Sequence, residues 1–245
     1  MGAISNGLAL SGFRPYASTF LSFSDYLRPS IRMSALMNLP VTYIFTHDSI
    51  TVGADGPTHQ PVEQLSTLRS IPNLFVYRPG DIKEVIGSWN AILNSKKPSV
   101  ISLPRTEIKA EQGTNILGVT KGAYIAGKEQ GKIDAIVIAT GSELQVAKSL
   151  QEKMKGDGID LRIVSMPCME LYLMQDQSYK NELFPSGKPI FVLEYGSSYC
   201  WEKFVLSSDY LFNVNEFGKS GSKDEIVNYF NVDLDQLSQR IKKML

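Results

Sequence analysis

The chain has 245 residues, of which 43% are hydrophobic and 10% aromatic, and its 25 Lys+Arg balance 25 Asp+Glu. This apolar content can bury a globular core, which excludes disordered and collagen-like chains. A net charge of zero leaves no overall field to hold a polyanion, so nucleic-acid and acidic-membrane binding lack their usual electrostatic basis.

The sequence predicts neither a cysteine-based site nor a targeting or membrane-spanning segment. Cys168 and Cys200 show no Cys-x-x-Cys spacing, so the sequence predicts neither a disulfide framework nor a zinc knuckle. The first residues lack the order of a secretory signal, and apolar runs such as Ile136–Ala139 are far shorter than the roughly 20 residues that span a bilayer. We therefore expect a soluble, cytoplasmic protein.

Short β-branched runs alternate with helical patterns, which is typical of parallel strands joined by crossover helices. Helices are predicted over Phe20–Met37 and Asp81–Leu93 and from near Pro61. The predicted strands are Pro40–Thr46, Asn73–Tyr77, Pro98–Leu103, Ala123–Ala126, Ala135–Thr140, Leu161–Ser165 and Pro189–Leu193.

A polar stretch, Glu107–Gly118, separates two groups of these units and predicts an interdomain linker. The first domain then covers 1–107, the linker 108–118 and the second domain 119–245. The second domain ends in a helical tail with Leu234, Leu237, Ile241 and Leu245 on one face. The fold class predicted is α/β, with two domains whose mostly parallel sheets are flanked by helices.

The loop after the Pro40–Thr46 strand contains both histidines of the chain, His47 and His59, together with Asp48 and Asp55. Open α/β sheets place ligands in loops beyond the carboxyl ends of their strands, so this loop is a candidate site. A metal site is disfavoured, because the histidines are twelve residues apart, outside helical spacing, and no cysteine lies near.

Two further groups can be functional or merely structural. Arg105 follows the strand at Ser99–Leu103, where a guanidinium can bind a phosphate or carboxylate, or form an ordinary salt bridge. Phe20, Phe23 and Tyr26 are spaced to share one side of a helix start, where they line a pocket or fill the core.

The Gly156-Asp157-Gly158 triplet superficially matches the metal-diphosphate motif of thiamine diphosphate enzymes. That motif needs a strand before the triplet and a helix after it, so that the carboxylate reaches the ion beside the helix start. Here a helix precedes it and the Leu161–Ser165 strand follows, so we interpret it as a helix-to-strand turn.

Two segments of the histidine-bearing loop, Thr46–Ile50 and Gly53–Gln64, closely resemble transketolase. The resemblance continues through Phe13–Phe20, Arg78–Asp81, Ala139–Glu143 and Val164–Pro167. It covers essentially the whole chain, which is similar to the pyrimidine-binding domain and the C-terminal domain of that family.

The resemblance implies a thiamine diphosphate-dependent transfer of a two-carbon ketol unit from a ketose phosphate to an aldose phosphate, in the pentose phosphate pathway. By resemblance, Phe20, Phe23 and Tyr26 line the pocket of the cofactor's aminopyrimidine ring. His59 is the catalytic residue that assists proton transfer at the donor. Asp55 selects a substrate hydroxyl, while His47 and Arg105 hold the sugar or its phosphate.

The resemblance also implies what this chain lacks. In the family, the glutamate that activates the cofactor aligns just before Met1, and the Mg²⁺ or Ca²⁺ ligands lie in an N-terminal diphosphate-binding domain. We therefore expect the first sheet to be incomplete, the chain to be inactive alone, and its uncovered apolar face to cause self-association. The expected partners are sugar phosphates, a second copy of the chain or the missing half, with neither nucleic acid nor membrane.

Other interpretations remain open. The chain can be a fragment, which we favour, or one half of a naturally split enzyme. It can also belong to another thiamine diphosphate enzyme, such as a deoxyxylulose phosphate synthase or the β subunit of a 2-oxo acid dehydrogenase. A third alternative is a non-catalytic interaction module, which would dimerise without binding the cofactor.

Overall fold

Two separate sheets organise the computed structural model, which describes residues 1–245. The first has four parallel strands in the order β1-β2-β4-β3. Its central members are buried on both faces, as expected of β-branched and aromatic runs in a parallel sheet. The strands are β1 Tyr16–Phe20, β2 Thr42–Thr46, β3 Phe75–Tyr77 and β4 Ser99–Ser102.

Helices cover the first sheet and connect its strands. The longest, α4, begins at Asp81, whose carboxylate accepts the backbone N–H of Glu84 at 3.0 Å and so caps the helix. These helices are α1 Gly2–Leu10, α2 Ser24–Leu36, α3 Gln64–Arg69 and α4 Ile82–Ser95.

The second sheet has five strands in the order β5-β7-β6-β8-β9 and is parallel except for β5, which pairs antiparallel with β7. The strands are β5 Tyr124–Gly127, β6 Ala135–Ala139, β7 Leu161–Ser165, β8 Ile190–Glu194 and β9 Leu211–Asn213. The helices are α5 Ile116–Val119, α6 Glu143–Gly156, α7 Met169–Leu173, α8 Gln177–Leu183, α9 Lys223–Tyr229 and α10 Leu234–Met244. The predicted fold class is confirmed.

Some predicted elements were wrong in detail. Phe20 does not start a helix: it ends β1, where it pairs with Thr46 of β2, and a 3-10 turn at Leu21–Phe23 separates it from α2. Strands β1 and β9 were not predicted. The stretch predicted as linker contains α5, which packs on α4.

The Gly156-Asp157-Gly158 triplet is a helix-to-strand turn, as predicted. Helix α6 ends at Gly156, and Gly158 takes the left-handed conformation (φ 78°) that turns the chain toward β7. The predicted tail helix is also present as α10, where Leu237 and Ile241 are buried.

Backbone hydrogen bonds join the two sheets. Tyr77 of β3 forms an antiparallel bridge with Cys168, and the Arg78 N–H donates to the Pro167 carbonyl at 2.8 Å. The Gly141 N–H donates back to the Arg78 carbonyl at 3.0 Å. The largest apolar cluster also includes side chains from both halves of the chain. None of the helices combines the length and apolarity that a membrane crossing needs.

Candidate active site

Three neighbouring strands of the first sheet deliver the predicted site residues to one edge. Phe20 ends β1, His47 directly follows β2, and Arg105 lies three residues beyond β4. Because these strands are parallel and adjacent, their carboxyl ends meet at the same side of the sheet. The loop from 47 to 60, here called the histidine loop, covers this edge.

His47 is held in a fixed orientation. Its backbone adopts a left-handed conformation (φ 61°), uncommon for a residue with a side chain, and its ring stacks on Phe20 with centroids 3.7 Å apart. Its Nδ1 lies 3.0 Å from the Thr46 hydroxyl. Burial lowers the pKa of His47 and the cation of Arg105 adds to this, against the opposing carboxylates of Asp55 and Asp48, so the neutral imidazole is favoured.

His59 is anchored in the same way. Its Nδ1 lies 2.9 Å from the Thr58 hydroxyl, and its ring packs edge-on against Phe23 with centroids 5.3 Å apart. The rings of Phe20 and His59 are 5.9 Å apart. Both imidazoles are therefore held at Nδ1, and Nε2 of each lacks a partner within the chain.

The three predicted aromatic residues form a row, although they belong to three different elements. Phe20 lies in β1, Phe23 in the 3-10 turn and Tyr26 in α2. Ring centroids are 5.8 Å apart for the first pair and 6.3 Å for the second. Tyr26 is 84% exposed, so the row does not fill the core but borders an open surface.

Arg105 and Asp55 form the charged side of the site. Arg105 Nη1 lies 3.4 Å from an Asp55 carboxylate oxygen and 3.3 Å from the Val52 carbonyl. Their side chains are 51% and 38% exposed. Only Nη1 of the guanidinium is bonded within the chain, so its other N–H groups can receive a ligand anion.

A buried ionic network that was not predicted from the sequence lies directly behind this edge. Arg78 Nε donates to Asp48 at 2.9 Å and its Nη1 bonds Glu143, while Arg69 holds Glu194 with two bonds of 2.8 Å. The side chains are at most 2% exposed. The sequence did contain an indication of this network. Arg78 directly follows β3 and Glu194 ends β8, and a charge buried at such a position must be paired.

The pKa values of the two buried glutamates in this network shift in opposite directions. Burial raises the pKa of Glu143, which the cation of Arg78 offsets only in part. Burial acts the same way on Glu194, but two arginines outweigh it and hold the pKa of that carboxyl below its ordinary value. No three His, Cys, Asp or Glu side chains lie close enough together to hold a metal ion.

Family models of two domains match this chain. Residues 1–110 match the family model of the transketolase pyrimidine-binding domain, and residues 122–233 match that of the transketolase-like C-terminal domain. Between them, the two models match most of the chain. It belongs to the transketolase family.

Two relatives show how far the similarity extends. A transketolase of Bacillus subtilis is 41% identical over all of this chain, which covers 38% of that protein. A solved transketolase of Pichia stipitis superposes with a TM-score of 0.93 at 36% identity, with 99% of this chain and 36% of that one covered. The chain thus spans little more than a third of the transketolases it matches.

A third similar structure is a split-gene transketolase described as an inactive β4 tetramer. It has a TM-score of 0.75 at 20% identity, and this chain covers 79% of it. At this identity the likeness concerns the fold. Some solved structures of the Pichia stipitis transketolase are complexes with fructose-6-phosphate, sedoheptulose-7-phosphate or xylulose-5-phosphate.

Proposed function

We propose that this chain forms the pyrimidine-facing wall and part of the substrate site of a thiamine diphosphate-dependent transketolase. The reaction moves a two-carbon ketol unit from a ketose phosphate to an aldose phosphate, within the pentose phosphate pathway. The observation that carries the proposal is the convergence of the aromatic row, both histidines and the Arg105–Asp55 pair at one sheet edge.

The aromatic row fits the flat ring of the cofactor. Phe23 and Tyr26 line a groove and Phe20 stacks beside Phe23, and aromatic walls bind planar heterocycles well. The buried Ser22 hydroxyl has no partner within the chain and lies at the same groove, where a ring substituent can bond it. When bound, thiamine diphosphate supplies the electron sink that a carbanion-equivalent transfer requires.

The two imidazoles supply proton transfer and orientation. With Nδ1 held by a threonine hydroxyl, each ring keeps Nε2 available for a ligand. We assign His59 as the residue that contacts the hydroxyl and carbonyl end of the donor and assists proton transfer at the two-carbon fragment, since imidazole gives and takes protons near neutral pH. His47, kept neutral by its lowered pKa, is assigned to binding the sugar.

Arg105 and Asp55 supply selection. The free N–H groups of Arg105 bind the substrate phosphate, and Asp55 accepts a hydrogen bond from a sugar hydroxyl. An analogue without that hydroxyl would leave the carboxylate unpaired, which is a strong basis for discrimination. The sugar phosphates held by the Pichia stipitis enzyme are substrates of this kind.

Other groups of the reaction are supplied from outside these 245 residues. We assign residues 1–107 as the pyrimidine-binding domain and 119–245 as the C-terminal domain, joined by 108–118. A diphosphate-binding half holds the cofactor's diphosphate and its Mg²⁺ or Ca²⁺, in a dimeric enzyme of the cytoplasm. Exposed apolar residues on α1 and α2, including Ile4, Leu10 and Leu36, support association; a monodisperse monomer in light scattering would contradict it.

Ketol transfer tests the proposal directly. The purified chain is assayed with thiamine diphosphate, Mg²⁺, a ketose phosphate and an aldose phosphate, alone and mixed with the amino-terminal half of a related transketolase. We expect activity in the mixture only. Acceptance of pyruvate in place of the ketose would favour a deoxyxylulose phosphate synthase type, while inactivity of the folded chain in both assays would overturn the proposal.

A further inference from the structure

The side-chain amide of Gln60 hydrogen-bonds the histidine loop to the second domain. The Gln60 side chain is 2% exposed, and its Nε2 donates to the Gly53 carbonyl within the loop and to the Lys219 carbonyl of the second domain, both at 2.8 Å. Because a buried unpaired carbonyl is costly, these two bonds fix the distance between the loop and that domain.

Close packing surrounds this amide. We call residues 218–223 of the second domain the bracing segment. A Cβ at Gly218 would lie 1.7 Å from Gln60 Oε1, and one at Gly56 would lie 2.5 Å from the Ser220 hydroxyl. A Cβ at Gly53 would lie 3.4 Å from the Gly221 carbonyl. The loop and the bracing segment therefore touch without room for even one added methyl group at Gly218 or Gly56.

A second fastening lies at the other end of the loop. Asp48, the residue after His47, accepts from Arg78, which in turn bonds Glu143 at the start of α6 in the second domain. Between these two anchors the loop carries Asp55 and His59, neither of which bonds any residue of the second domain. Their positions are set by the backbone on which they stand.

We infer that Gln60 is a positioning residue through which the second domain sets the location of His59 and Asp55. The roles of His59 and Asp55 rest on the proposed function, but their placement by Gln60 does not. The C-terminal domain thereby contributes to the reaction by positioning, although it supplies none of the groups proposed to touch substrate. Loss of the amide removes the hydrogen bond that holds the end of the loop next to His59 against the second domain.

The two histidines make a direct test possible on the chain by itself. In Gln60→Leu, which keeps the side-chain bulk and removes both bonds, we expect the NMR signal of the His59 ring to move while that of His47 stays. The amides of Gly56 and His59, bonded at 3.1 and 3.0 Å to carbonyls within the loop, should exchange roughly tenfold faster.

A variant in the other domain provides a second, independent measurement. In Gly218→Ala, the added methyl group displaces the Gln60 side chain without any substitution in the loop itself, so the same His59 changes are expected. Gly156→Ala is its control, because a Cβ there meets nothing within 4 Å. Gln151→Leu is the control for Gln60→Leu, since Gln151 also donates two bonds to carbonyls, those of Lys128 and Leu161, but away from the loop.

The outcomes separate the two proposals. Unchanged His59 signals and exchange in both test variants would overturn the inference, and so would equal changes in the Gln151→Leu control, which would report general loosening. In the complemented enzyme, Gln60→Leu should lower kcat more than it raises KM. If no complementation occurs, the proposed function fails while the NMR result still decides the placement of the loop.

Discussion

Asp48 and Asp55 lie seven residues apart in the same loop, and each faces an arginine. The two ion pairs differ in distance, in burial and in the number of neighbouring charges. Arg78 and Asp48 are 2.9 Å apart and fully buried, and their neighbours Glu143, Glu194 and Arg69 complete the pairing. Arg105 and Asp55 are 3.4 Å apart and about half and two-fifths exposed. The buried charges are neutralised within the chain, although Asp48 Oδ1 and Arg78 Nη2 lack hydrogen-bond partners, whereas the exposed pair keeps donors and acceptors that a ligand can reach.

This difference separates structure from function within one short segment. A buried charge must be paired by the protein, since nothing else can reach it. A charge at the open edge is paired weakly by its neighbour and can exchange that partner for a ligand. We therefore expect substitutions at the two arginines to affect different measurements.

The largest expected effect is on stability. Arg78→Met leaves three buried carboxylates without their central cation, so the free energy of unfolding should fall by about 3–5 kcal/mol. The matched change Arg105→Met should cost less than about 1 kcal/mol, because the pair is exposed and screened. Urea unfolding of both variants measures this, and equal losses would show that burial does not distinguish the pairs.

The second expected effect is on activity, which should depend on Arg105, the arginine that matters less for stability. In the complemented enzyme, Arg105→Met should lower kcat/KM for phosphorylated substrates by about tenfold to a hundredfold, the value of a charge-assisted hydrogen bond. The kcat/KM of Arg105→Lys should lie between that of Arg105→Met and that of the unchanged enzyme, since lysine keeps the charge and loses the forked geometry. Arg240→Met on α10 is the control, and an equal loss there would remove Arg105 from the phosphate site.

The smallest expected effect is on titration. Burial and then Arg105 lower the pKa of His47, so Arg105→Met should raise it and Asp55→Asn should lower it further. Because the folded pKa lies below that of the unfolded chain, about 6.5, the unfolded state binds more protons between the two values. The free energy of unfolding therefore rises with pH through that window. NMR titration of His47 follows the shifts, and movement in one common direction for both variants would contradict them.

Local pattern predicted most of this fold, because strands buried on both faces are continuous β-branched runs. The pattern failed where pairing between distant segments decides the structure. Phe20 fits a helical spacing, but its pairing with Thr46 places it in β1. Strand β9, only three residues long, forms against β8 and carries too little signal of its own.

The site was predictable to a similar degree. The clustering of both histidines in one loop after a strand indicated the candidate site, and resemblance suggested their roles. Spacing alone did not show that Thr46 and Thr58 hold the two rings, or that Arg78 meets Glu143, which is 65 residues away. Contacts of that kind depend on the arrangement of two sheets, which no single window of sequence contains.

The backbone bonds that join Tyr77, Arg78 and Gly141 across the two sheets bear on cooperativity. Separating the domains would break a strand-like bridge and expose five charged side chains, so neither half can unfold while the other stays intact at low cost. Heating should therefore melt both sheets in one transition. Cleavage of the backbone between residues 108 and 118, followed by separation of the pieces, would accordingly yield two polypeptides of marginal stability and not two independent folding units.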